Sequence, residues 1–141
     1  MPYFRKKVAY RLAGIALLLT LGGCGLRSRP EEQVRLRFEQ YMAAWERQDV
    51  NTVWSLMSPR LKQGNDNNIN AFKQSIVSAG FHPAAHKVRS VTVKKGEAIV
   101  VADMVFADST GRSVGSETER CQFVNPDGEW LFDDCQPFEA R

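Results

Sequence analysis

The segment FEQYMAAWERQDVNTVWSLMS, residues 38–58, holds two amphipathic helices and the joint between them. Val34, Phe38, Tyr41, Met42 and Trp45 recur at three- and four-residue spacing, which places them on one helix face. Upstream, Pro30 suits a first helical turn and Glu31 and Glu32 suit its positive end, so the helix is expected to start at Pro30. Asp49 stands where an N-cap is needed, and Val50, Val53, Trp54 and Met57 form the apolar stripe of a second helix. Ser58-Pro59 stops that helix and leaves room for a short extra turn over Pro59–Gln63. Residues 64–68 are Gly, Asn and Asp only, a loop by composition. A third helix follows, with Ile69, Phe72, Ile76 and Ala79 inward and Gly80 closing it.

Beyond Pro83 the apolar period changes from 3.6 to 2. Strands are expected over 87–93, 97–107, 112–124 and 129–136, separated by Lys94-Lys95-Gly96, Asp108-Ser109-Thr110-Gly111 and Asn125-Pro126-Asp127-Gly128. Helices first and an antiparallel meander after them make an α+β layout. The sheet must curve around three N-terminal helices to bury both apolar sets.

The beginning of the chain reads differently. Arg5, Lys6, Lys7 and Arg11 precede an apolar run from Leu12 to Leu21, the layout of a secretory signal peptide. That run is about half the ~20 residues a membrane-spanning helix needs. Leu21-Gly22-Gly23-Cys24 resembles the lipobox of bacterial lipoproteins. The resemblance implies that residues 1–23 are removed, that the Cys24 thiol carries diacylglycerol, and that residues 24–29 tether a domain spanning 30–141. It implies a bacterial cell-envelope location, anchored to the membrane through Cys24. Gly25, rather than the Asp that retains enteric lipoproteins at the inner membrane, points to the periplasmic face of the outer membrane.

The overall net charge of +3 belongs to this leader. Four of the 19 basic residues and none of the 16 acids fall within 1–23, which leaves −1 from Cys24 onward. A nucleic-acid partner is excluded on that balance. Aromatics at 10% and mixed charges likewise exclude a disordered tail. The odd number of cysteines resolves too: Cys24 takes lipid, and Cys121 and Cys135 remain as a pair for an oxidising compartment. They flank a type I turn at Asn125–Gly128 and face each other directly or diagonally according to the bulge between them. No further Cys or His lies near to complete a metal site.

Helix, Trp-x-x-x-Asp, helix, then a curved antiparallel sheet resembles the NTF2-like, cone-shaped α+β superfamily, with 38–58 carrying the local match. The resemblance implies small lipid-anchored relatives, and steroid isomerases among the enzymes. In those isomerases a tyrosine placed as Tyr41 is here, eight residues before Asp49, stabilises an oxyanion. Their carboxylate base has no counterpart in Ser58-Pro59-Arg60-Leu61-Lys62.

Large residues on inward stripes, namely Phe38, Tyr41, Trp45, Trp54, Met104 and Phe106, are the expected pocket lining. Asp103 alternates with the core row of its strand and is expected on the outer face. His82 and His86, astride Pro83, are read as loop residues. Lys87, Arg89, Lys94 and Lys95 are read as solvated strand-edge residues. No phosphate loop, nucleophile elbow or Cys/His pair is present, and no cofactor or metal is implied. Without a matched acid/base pair, binding of an envelope protein or a small ligand is favoured over catalysis. The alternatives are an isomerase- or dehydratase-type enzyme, and a structural accessory of an envelope assembly that forms a homodimer through the sheet.

Overall fold

The computed structural model describes residues 28–139. The expected leader, the Cys24 lipid site and most of the tether lie outside the described residues. Four helices precede four strands: α1 Pro30–Glu46, α2 Val50–Ser55, α3 Pro59–Gln63, α4 Ile69–Ala79, β1 His82–Lys94, β2 Glu97–Ala107, β3 Ser113–Val124 and β4 Leu131–Pro137. The short turn at Pro59 is thus a helix in its own right. No helix among the described residues is long and apolar enough to cross a membrane.

The helix boundaries follow their capping chemistry. Pro30 opens α1, with Glu31 and Glu32 in its first turn. Asp49 caps α2 by accepting from the Thr52 backbone N–H at 3.1 Å and from its hydroxyl at 2.6 Å. These bonds hold the Asp49 carboxyl below its ordinary range. Ser58 caps α3 through the Leu61 N–H, and Asn68 caps α4 through the Asn70 N–H. Gly80 ends α4 at φ 75°, a left-handed conformation that favours glycine.

The strands form one antiparallel sheet in the order β1-β2-β3-β4. Ala98, Val100, Ala102 and Met104 of β2 are buried on one face, while Ile99, Val101, Asp103 and Val105 lie on the other. β1 starts at His82, five residues earlier than its alternation indicates. Pro83 hid those residues, yet β1 is an edge strand with a register shift between Pro83 and Ala85, where a missing N–H is tolerated. His82 and His86 are therefore strand residues, not loop residues.

At the opposite edge, β4 is covered. Met57 forms a bridge with Phe132, the Ser58 N–H donates to the Phe132 carbonyl at 2.7 Å, and the Phe132 N–H donates to that of Leu56 at 2.9 Å. β3 and β4 pair as Cys121↔Cys135, Gln122↔Asp134 and Phe123↔Phe132, leaving Asp133 as the extra residue of a bulge. That one residue puts Cys135 directly opposite Cys121, with Cα atoms 4.0 Å apart, and the pair is disulfide-bonded. The core lies between α1 and the concave face of the sheet, with Phe38, Met42, Val53, Val100 and Phe123 fully buried.

Candidate functional site

The six residues expected to line a pocket do not share one. Phe38, Tyr41 and Met104 belong to the packed core. Phe38 meets Phe123 edge-on at 6.2 Å, and Tyr41 stacks on Phe132 at 4.1 Å. Burial pushes the Tyr41 hydroxyl pKa upward, and the ring fills space that a ligand would need. Trp45 borders a 260 Å³ recess under α4, with Val50, Ile76, Val77 and His82. Trp54 packs against Phe72 with ring centroids 5.5 Å apart. Of the six, Phe106 alone lines the groove beside Phe81. The reason is geometric: α1 lies directly on the inward stripes, and the side chains chosen for size meet one another.

That groove, about 420 Å³, lies between the start of β1 and the β2–β3 hairpin. Phe81, Phe106, Val114, Gly115, Ser116 and Glu117 line it. Phe81 and Phe106 meet edge-on at 5.7 Å, with Phe81 49% exposed and Val114 51% exposed. Exposed aromatic and branched aliphatic surface in a concavity is unfavourable in water and favours an apolar occupant. Gly115 pairs with Phe106, and a Cβ added there would meet nothing within 4 Å. The absent side chain leaves that part of the groove open.

Deeper along the same face of β3 stands Glu119, two residues from Glu117 and only 7% exposed. It shares its row with the buried residues Cys121 and Phe123. Its Oε2 is buried without a hydrogen-bond partner. Burial, followed by its hydrogen bond and repulsion with Glu117 and then repulsion from Asp134, raises its pKa from 4.5 to about 7. Sequence reasoning passed over this pair. The signal was present in the alternation, because Glu117 and Glu119 have the parity of Cys121 and Phe123 and so must face inward.

The sign of the shift sets a pH dependence. A carboxyl whose folded pKa lies above its unfolded value favours the folded state fully below about 4.5, and that contribution vanishes as pH rises through about 7. Between pH 5 and 8 the urea midpoint of the native chain should therefore fall relative to that of Glu119→Gln. Parallel pH profiles for the two proteins would contradict the assignment.

The remaining candidates have structural partners. Arg89 grips Asp103 through Nε at 2.9 Å and Nη2 at 2.8 Å, and the Thr118 hydroxyl donates at 2.8 Å. The Arg89 bond is the main reason why the Asp103 pKa is lowered, so this acid is held ionised on the outer face. His86 projects from β1 onto α1, with Nε2 2.5 Å from Glu39 and Nδ1 3.3 Å from Glu46. Its ring meets that of Phe38 edge-on at 5.4 Å. Among the described residues no three His, Cys, Asp or Glu side chains cluster as a metal ligand set would.

No protein-family model and no curated protein matches the chain. Solved structures do. A SEC-C motif containing protein from Rhodopseudomonas palustris is 19% identical, with a TM-score of 0.56 over 78% of this chain and 79% of that one. A protein of unknown function with a cystatin-like fold, from Nostoc punctiforme, is 10% identical with a TM-score of 0.51 over 75% and 87% of the two chains. A candidate dehydratase of the NTF2-like family from Streptomyces avermitilis is 19% identical with a TM-score of 0.51 over 78% and 96%. Likeness at these identities defines the fold alone. The chain has the NTF2-like α+β fold, a curved four-stranded antiparallel sheet with helices against its concave face.

Proposed function

We propose that the chain is a lipid-anchored protein of the bacterial envelope whose NTF2-like domain binds a small, mainly apolar ligand in the groove between the start of β1 and the β2–β3 hairpin. The groove carries the reading: it combines exposed Phe81 and Val114 with Phe106, and a buried carboxylate lies one step deeper. The anchor is supported by the basic n-region, the short apolar run and Leu21-Gly22-Gly23-Cys24. Two or more acyl chains would make it stable, since one binds membranes only marginally.

The test uses the full chain, labelled with ¹³C-methyl methionine, in phosphatidylcholine nanodiscs. Met104 pairs with Glu117 across the sheet and reports on the groove. At least one of three phenyl-bearing probes (2-phenylethylamine, 2-phenylethanol or 3-phenylpropionate) should shift the Met104 methyl resonance, and Gly115→Leu should abolish the shift by filling the groove. Shifts with none of the three would refute binding there. The anchor is read in the same preparation: Cys24→Ser should remove the mass of the acyl chains, and an unchanged mass would refute lipidation.

A second reading is an acid–base enzyme of the isomerase or dehydratase type. It is favoured by Glu119, whose pKa of about 7 suits proton transfer near neutral pH. The likeness to a candidate dehydratase is compatible with it. Tyr41, the expected oxyanion donor, stacks on Phe132 in the core and does not line the groove. Binding without chemistry is therefore the better-supported reading.

A further inference from the structure

We propose that the groove selects organic cations: molecules that lay an apolar, ring-sized body on Phe81, Phe106 and Val114 and turn an ammonium group toward Glu117 and Glu119. The inference rests on the binding reading above and specifies the chemistry of its ligand.

Three observations converge. The groove wall has one charged side chain, Glu117, beside three apolar ones. Glu119 follows on the same face, 7% exposed, with an Oε2 that no donor reaches. Among the described residues neither carboxylate takes part in an ion pair. The neighbouring groups worsen the imbalance. Asp134 on β4 adds further repulsion at Glu119, and the strand residues directly opposite Glu119 are Ala102 and Pro137, which carry no charge.

A buried acceptor without a donor costs free energy that any arriving donor can recover. An alkylammonium offers three N–H donors and a positive charge, and both count for more where water is partly excluded. Once Glu119 is ionised, above about pH 7, a neutral alcohol supplies one donor without relieving the repulsion between the acids. A carboxylate ligand would add a third negative charge to the site.

The same nanodisc titrations measure the order of affinities for the three probes, whose phenyl bodies are alike and whose head groups differ in charge. 2-Phenylethylamine should bind about tenfold more tightly than 2-phenylethanol, with 3-phenylpropionate weakest. Glu117→Gln, a change at an exposed position, should reduce the amine preference severalfold while leaving alcohol binding intact. Glu119→Gln should do the same, and it retains the side-chain shape if Glu117 alone proves uninformative. Equal affinities for amine and alcohol would overturn cation selection while leaving groove binding intact. An amine preference that survives both substitutions would also overturn it, by placing the cation elsewhere. Failure of all three probes would overturn the binding reading itself, and this inference with it.

Discussion

Reducing the Cys121–Cys135 bridge should lower the folding stability of the domain by about 3 kcal/mol, the loop-entropy value for a closure of this length. In a domain of this size that corresponds to a melting temperature lower by about 10–15 °C. The bond joins directly opposed residues, so it adds little ordering to the native sheet and removes much freedom from the unfolded chain. Its local effect should be largest on β4, a seven-residue strand at the sheet edge. Thermal unfolding of the native chain with and without reductant isolates the cross-link. Cys121→Ala/Cys135→Ala should melt lower still, because Cys121 is fully buried and its truncation leaves a small cavity. A melting temperature within about 2 °C of the oxidised chain would refute a stabilising role.

Asp133→Ala should cost a comparable amount, about 3 kcal/mol. The Asp133 side chain is 10% exposed and accepts from the Ser58 hydroxyl at 2.5 Å and from Arg60 Nε at 3.0 and 3.1 Å. Arg60 Nη2 also reaches the Asp133 backbone carbonyl at 2.5 Å. Removing the carboxylate strands a buried hydroxyl, because Ser58 is 1% exposed. It also releases the clamp between α3 and the sheet edge. Arg60→Ala should cost only about 1 kcal/mol, since that side chain is 60% exposed and the Ser58 hydroxyl still donates to the Asp133 carboxylate. The difference between the two variants separates the buried hydroxyl from the ion pair. A loss below about 1 kcal/mol for Asp133→Ala would show that the bulge is held by backbone pairing alone.

The two predictions meet at one residue. Asp133 is the extra residue that shifts β4 and brings Cys135 opposite Cys121. Loosening Asp133 should therefore also weaken the geometry that favours the disulfide. The combined variant should lose less than the sum of the separate losses, as coupled neighbours do.

Much of the architecture was legible in local pattern. Spacing in 30–58 located α1 and α2, Asp49 marked the cap between them, and alternation in 97–107 identified the buried row of β2. Asp103 falls on the outer face for the same reason of parity. The start of β1 was hidden because Pro83 reads as a breaker unless the strand is known to lie at an edge. The pocket was misplaced because size and inward direction do not distinguish a side chain that meets another from one that faces space. Phe38, Tyr41 and Met104 are as inward as expected, but residues of α1 and of the sheet fill the volume in front of one another. Glu117 and Glu119 could have been recognised as inward by parity, but their environment could not.

The sequence by itself determined the order of helices before strands, the buried rows of α1 and β2, and a cysteine pair on either side of the β3–β4 connection. These depend on periodicity and on residues within a few positions of one another, where chain geometry leaves few choices. Only the tertiary structure decided that Asp133 is the bulged residue, that Cys121 faces Cys135 directly, and that the open groove lies beside Phe81 and Gly115. It also decided that Oε2 of Glu119 is enclosed without a hydrogen-bond partner. Those properties depend on what stands across the sheet and across the core, contributed by segments tens of residues apart. Burial, voids and unpaired charge are set by such neighbours and not by the residue's own identity.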